Sequence, residues 1–149
     1  NWLDIIAEIS RLDISQYSYR NALIAEVDNS PAGAIVAYDG ALLDQLRTQT
    51  LCVIHHYNPN FSFTEDETEA GEYYLDTLCV LPQYRKQGIA TQLITALCNK
   101  AFAEGHTRIG LIVDFDNPNA ERLYTSLGFQ RIKTRIFLSH QMWHLQKTR

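Results

Sequence analysis

The chain has 149 residues and a mass of 17.1 kDa, a length that favours a single domain, 1–149, over two. Hydrophobic residues make up 46% and charged residues 20%, which excludes wholesale disorder, collagen and a disulfide-stapled miniprotein. The net charge of −4, from 13 Lys and Arg against 17 Asp and Glu, argues against a nucleic-acid partner, which needs a clustered basic face.

No apolar run approaches the roughly 18 residues that span a bilayer, so no membrane partner is expected. The start, Asn1-Trp2-Leu3-Asp4, has no basic leader segment. Cys52, Cys79 and Cys98 lie 27 and 19 positions apart, which fits neither a disulfide framework nor a zinc ligand set. Each has apolar neighbours and is expected to be a small buried hydrophobe in a reducing cytoplasm. His55 and His56 are adjacent and would point opposite ways on a strand, so no metal site is expected.

The first twenty residues read as helix, with Ile5, Ile6, Ile9 and Leu12 at helical spacing. Leu23 to Val27 is a strand, Asp28 to Gly33 a turn, and Ala34 to Tyr38 the returning strand of a hairpin. Ala41 to about Leu46 reads as helix, and Thr50 to Tyr57 fits helix or strand. Thr64 to Glu72 is an acidic loop. Glu65, Asp66, Glu67, Glu69 and Glu72 make either a solvated charge run or a rim that attracts a cationic substrate.

From Tyr73 to Leu81 the chain is a strand stopped by Pro82. A helix starts near Gly88, with Ile89, Leu93, Leu97 and Ala101 on one face and Gly105 past its end. Arg108 to Val113 is the next strand, and strand–helix–strand implies a parallel pair with a right-handed crossover. Asn117 and Pro118 open a further helix that ends before Gly128. Phe129 to Leu138 and Gln141 to about Leu145 close the chain as an antiparallel pair. The order describes a mixed α/β sandwich around one sheet.

Arg85-Lys86-Gln87-Gly88-Ile89-Ala90 lies where a strand hands over to a helix. A helix start leaves N–H groups unpaired and partly positive. Small residues at Gly88 and Ala90 let an anion approach, and Arg85 and Lys86 add charge. The turn suits a phosphate or pyrophosphate. The plainer reading is a glycine at a helix entry with solvated basic neighbours. A Walker loop is excluded because no Gly-Lys-Ser/Thr follows, and a dinucleotide fingerprint because only Gly88 is present.

Val80-Leu81-Pro82-Gln83-Tyr84-Arg85-Lys86-Gln87-Gly88-Ile89-Ala90 resembles the acetyl-coenzyme-A-binding segment of the GNAT superfamily of N-acetyltransferases. Asn117-Pro118-Asn119-Ala120-Glu121-Arg122-Leu123-Tyr124-Thr125-Ser126-Leu127-Gly128-Phe129 resembles the second motif of that superfamily. The resemblance covers roughly residues 20 to 140. It implies a mostly antiparallel sheet with a central parallel pair and helices on both faces. Members usually open with a strand before the first helix. This chain begins almost directly in a helix, so the opening strand is missing and the chain is expected to be part of a longer one. Dimers are common among similar proteins, so a homodimer is one expected assembly.

The implied reaction moves an acetyl group from acetyl-CoA to a primary amine of a small molecule, peptide or protein. A non-catalytic acyl-CoA-binding regulatory module is the alternative. An amine of pKa about 10.4 is neutral only to the order of 4 × 10⁻⁴ at pH 7, a cost of about 4.6 kcal/mol. A base is therefore expected. By resemblance, the backbones of Leu78 and Val80 bind the pantetheine arm, and Arg85, Lys86, Gln87, Gly88, Ile89 and Ala90 hold the pyrophosphate.

Strand alternation places Glu72, Tyr74, Asp76, Leu78 and Val80 on one face. Glu72 and Asp76 are thus the candidate bases, against plainer readings as an exposed acid and a structural hydrogen-bonding residue. Asn117 and Tyr124 share a helix face. Asn117 either bonds the cofactor arm or only caps its helix. Tyr124 is the candidate acid for the leaving sulfur, against a plainer reading as a half-buried aromatic.

Overall fold

The computed structural model describes residues 1–149. Helix α1 (Trp2–Arg11) is capped by Asn1, whose side chain accepts from the Leu3 N–H at 2.7 Å. It stops at Arg11, not at residue 20, because serine hydroxyls compete for the backbone beyond it. Ser15 donates to the Ile9 carbonyl and Ser18 to the Asp13 carbonyl, both from buried positions.

Strands β1 (Ala22–Val27) and β2 (Ser30–Asp39) form the expected hairpin. Its turn is only Asp28-Asn29, with φ of +51° and +63°, the left-handed pair that matches the twist of two strands. The expected six-residue turn is shorter because β2 runs through Pro31. That residue lies where the register slips beside β1, an edge strand, so its missing N–H costs little. Helix α2 (Leu43–Tyr57) absorbs Thr50 to Tyr57 as helix.

The remaining elements follow the expected order: β3 (Tyr73–Val80), α3 (Ile89–Ala103), β4 (Arg108–Asp114), α4 (Pro118–Ser126), β5 (Gln130–Phe137) and β6 (His140–Thr148). The six strands lie in the order β1-β2-β3-β4-β6-β5. Only β3 and β4 are parallel.

Helices cover both faces of the sheet. On one, Ile89, Leu93 and Leu97 of α3 and Tyr124 of α4 join a core with Ile35, Leu75, Ile109 and Leu145. On the other, Leu43 and Leu46 of α2 pack on Tyr38 and Tyr74, and Ile5 and Ile9 of α1 pack on Val53. Cys98 is buried as expected, but Cys52 and Cys79 are exposed. No helix is long and apolar enough to cross a membrane.

Two irregularities in β3 position the site. Its parallel pairing with β4 spans only Tyr73–Ile109 and Tyr74–Gly110, after which the strands separate. Its pairing with β2 slips at Asp76, so that Val36 faces Thr77 while Ala37 faces Leu75. That β-bulge interrupts the alternation of faces. Leu75 packs in the α3 core with Leu78 and Val80 beside it, whereas Tyr74 packs on the α2 side. The shared face expected for Glu72, Tyr74, Asp76, Leu78 and Val80 is therefore divided in two.

Candidate active site

The first part of the site is the turn after β3. Pro82–Tyr84 forms one turn of 3-10 helix, Lys86 has φ of +62°, and Gly88 has φ of +79° at the entry to α3. The first intrahelical bond runs from the Gln92 N–H to the Gly88 carbonyl. The N–H groups of Ile89, Ala90 and Thr91 thus lack helical partners. They open onto a cavity of about 490 Å³ that Leu78, Cys79, Val80, Tyr84, Arg85 and Lys86 also line.

Arg85 donates from Nε to the Val80 carbonyl at 3.1 Å and remains exposed. Gln87 is turned back, with Nε2 donating to the Gln83 carbonyl at 3.4 Å, and does not line the cavity. The Ile89 side chain is buried in the core, so only its backbone can serve a ligand. The turn offers N–H groups and two basic side chains to a diphosphate-sized anion.

On its β3 side the cavity is bounded by Leu78, Cys79 and Val80. The Leu81 N–H donates to the Ala32 carbonyl of β2 at 2.8 Å, and the Cys79 carbonyl lies against Gly33 of β2. Backbone groups alternate in direction along a strand. The N–H and C=O groups of Leu78 and Val80 consequently face away from β2, into the gap left by β4.

Helix α4 packs on β4. The Asn117 side chain accepts from the Ala120 N–H at 3.2 Å, so it caps its helix. Tyr124 is 9% exposed and meets Phe129 edge to face at 5.7 Å. Burial pushes its pKa up to about 12. Its hydroxyl bonds to no group of the chain and stays protonated at neutral pH.

A second cavity, of about 470 Å³, opens on the α2 face. Asp76 and Glu67 both line it. Asp76 accepts from the Tyr38 hydroxyl at 2.6 Å and from Thr77 at 2.9 Å. Glu67 accepts from the Tyr74 hydroxyl at 3.0 Å and from Gln16 at 3.1 Å. Gln16 also donates to Tyr38 at 3.2 Å, so the two carboxylates belong to one network. Burial raises the Asp76 carboxyl above its ordinary value. Burial, reinforced by the Asp76 charge, pushes Glu67 up to about 7.

Sequence reasoning singled out Asp76, which lines this cavity, but not Glu67, Gln16 or Tyr38 as its companions. Glu67 lies in a loop, where no periodicity marks a buried residue, and Gln16 lies in a segment read as helix. The only available signal for Glu67 was its place in the acidic run.

Glu72 sits elsewhere. It is 3% exposed and accepts from Thr68 at 2.7 Å and Gln146 at 2.8 Å, with His144 Nε2 at 2.7 Å. It does not line the second cavity, and its carboxylate has no open side for an incoming amine. Both side chains of this pair are buried, and the geometry lends the expectation of Glu72 as a base no support.

The rest of the acidic run is matched by partners. Asp66 pairs with Arg47 at 2.9 Å, and Glu69 with Lys133 at 2.8 Å and Arg135 at 3.3 Å. Glu65 accepts from the Leu138 N–H at 2.6 Å. The run is a strap tied to α2 and β5 rather than an open anionic rim.

The geometry therefore joins a turn with unpaired N–H groups, a gap faced by the backbone of Leu78 and Val80, and a carboxylate cavity across a single strand. A sequence profile of the Acetyltransferase (GNAT) family matches residues 6–129. A ribosomal protein bS18 alanine N-acetyltransferase from Haemophilus ducreyi is 38% identical over 74 residues, 50% of this chain and 51% of that protein. A thialysine N-epsilon-acetyltransferase from Mus musculus is 40% identical over 57 residues, 38% of this chain and 34% of that protein. The matches thus span about half or less of those curated relatives. A crystal structure of an acetyltransferase superposes with a TM-score of 0.87 at 34% identity, covering 98% of this chain and 79% of that one. With the profile spanning most of its length, the chain belongs to the GNAT acetyltransferase family.

Proposed function

We propose that the chain transfers an acetyl group from acetyl-CoA to a primary amine. The observation that carries this reading is the bulge at Asp76. The Asp76 carboxylate stays on the α2 side with Tyr74 and lines the cavity there, while the bulge carries Leu78, two residues on, to the α3 side with its backbone toward the gap. Two residues of strand span roughly 6.6 Å, so a proton acceptor and a thioester arm can meet across β3.

Each part then has a task. The N–H groups of Ile89, Ala90 and Thr91, with Arg85 and Lys86, hold the pyrophosphate. The backbones of Leu78 and Val80 bind the arm, and the Val80 N–H faces the acyl oxygen. When bound, acetyl-CoA supplies the activated acyl group. Asp76, linked through Tyr38 and Gln16 to Glu67, accepts the proton that the ammonium must lose before it attacks. The new C–N bond forms as the C–S bond breaks, and the Tyr124 hydroxyl donates a hydrogen bond to the departing sulfur. A module that only bound the cofactor would need neither the carboxylate cavity nor an unpartnered phenol.

The test is direct. Acetyl-CoA should bind the protein, and thiol release should depend on an added primary amine. Gly88 has φ of +79°, which a β-branched residue adopts only with strain, so Gly88→Val should displace the turn. Its acetyl-CoA Kd should rise at least tenfold, about 1.4 kcal/mol. A folded Gly88→Val variant that binds like the wild type would overturn the assignment.

A further inference from the structure

We infer that the acceptor is a primary amine on an apolar body, with no carboxylate beside the amine. The inference rests on the transferase reading above and on the chemistry of the α2-side cavity. Leu51, Ile54, Phe61, Phe63, Phe137 and Leu138 make up half of the residues that line it. Phe63 and Phe137 meet edge to face at 5.8 Å, a rigid aromatic wall. Its volume of about 470 Å³ falls in the range of small-molecule sites.

The polar end of the cavity carries one sign of charge. Glu67 and Asp76 face it, and their partners Tyr38, Tyr74, Thr77 and Gln16 are all neutral. Arg47 is the one cation in the lining. It is committed elsewhere, bonding to the Glu65 carbonyl at 2.9 Å, Asp44 at 2.8 Å and Asp66 at 2.9 Å. An ammonium group entering here meets two carboxylates that form no ion pair within the chain, Arg47 acting on Glu67 only through space. An α-carboxylate entering with it would face both of them, and the one cation nearby, Arg47, is already shared between Asp44 and Asp66. Like-charge exclusion in a partly desolvated site is strong.

The apolar walls select the other end of the ligand. A short polar amine would leave the aromatic surface wet and gain nothing from it, whereas a phenyl or alkyl body would cover it. The two ends together favour an arylalkylamine or alkylamine over an amino acid.

Calorimetric titration at pH 8 tests this without turnover, so its outcome is separable from that of the transferase reading. The probes are 2-phenylethylamine, phenylalanine, phenylalaninamide and ethanolamine. The expected order is 2-phenylethylamine tightest, phenylalaninamide within about tenfold of it, and phenylalanine and ethanolamine at least 100-fold weaker. Glu67→Gln and Asp76→Asn, which keep side-chain shape, should each weaken 2-phenylethylamine at least tenfold. Equal binding of phenylalanine, loss of phenylalaninamide together with phenylalanine, equal binding of ethanolamine, or unchanged affinity in both variants would overturn the inference. So would an absence of 2-phenylethylamine binding. If the amine binds as expected while acetyl-CoA does not, the transferase reading fails and the cavity assignment stands.

Discussion

The Glu72 carboxylate lies directly over the α-carbon of Gly110 on the neighbouring strand, where any Cβ would overlap both of its oxygens. Burial alone would raise this carboxyl, but bonds from His144, Thr68 and Gln146 outweigh it and hold its pKa below the ordinary value. Gly110 is required for that seat, and for a different reason from the turn glycines, because its φ is not positive.

Gly110→Ala should therefore expel the carboxylate or push β3 and β4 apart. Overpacking and loss of buried hydrogen bonds together cost about 2 kcal/mol or more. The melting temperature should fall by roughly 4 °C or more. A lowered carboxyl pKa stabilises the fold above its unfolded value and loses that contribution as pH falls through the folded one. The gap between wild type and variant should thus shrink below about pH 4. Thermal unfolding from pH 3 to 8 measures both effects, and a melting point within a degree of wild type at pH 7 would show that the seat is dispensable.

Glu67 carries the opposite sign. Its folded-state pKa is raised to about 7 from an ordinary 4.5, so the folded chain binds more protons than the unfolded chain between those values. Stability is full below about pH 4.5 and is lost as pH rises through about 7. Glu67→Gln removes the charge and keeps a group that can bond to Tyr74 and Gln16. It should be more stable than wild type at pH 8, by up to about 3 kcal/mol, and equal to it at pH 4. Urea unfolding at the two pH values decides the matter. Parallel stability curves would mean that Glu67 titrates normally.

The parts of the site that could be read from sequence are those punctuated by local chemistry. Pro82, Gly88 and Gly105 bracket α3, and Asn117, Pro118 and Gly128 bracket α4, each acting on the residues beside it. The bulge at Asp76 could not be read, because it is decided by how β3 pairs with β2 about 40 residues earlier. A strict two-residue alternation therefore put Glu72 and Asp76 with Leu78, and the structure separates them. The Glu67 cavity was hidden for the same reason. Its hydrogen bond to Gln16 spans 51 positions, and nothing near either residue announces the other.

Tyr124 is the remaining element of the proposed chemistry. Its pKa of about 12 lies well above that of a free thiol, about 8.5, so full proton transfer to a departing thiolate would be uphill by about 5 kcal/mol. The hydroxyl should instead stabilise the sulfur by a short-range hydrogen bond, with solvent completing the proton transfer. Tyr124→Phe deletes only that donor and keeps the edge-to-face packing on Phe129, so stability should change by less than about 1 kcal/mol. The pyrophosphate and arm contacts remain, and acetyl-CoA affinity should stay within about twofold. Turnover with a working amine should fall about 10- to 100-fold, the low end for a group acting on a proton in the transition state. The loss should appear in kcat and in kcat/KM for the amine alike, because the bond is made only as the sulfur leaves. Steady-state kinetics on both proteins, with acetyl-CoA affinity measured separately, provides the check. If the phenylalanine variant turns over within twofold of wild type, Tyr124 is a packing residue and the sulfur is stabilised by water alone.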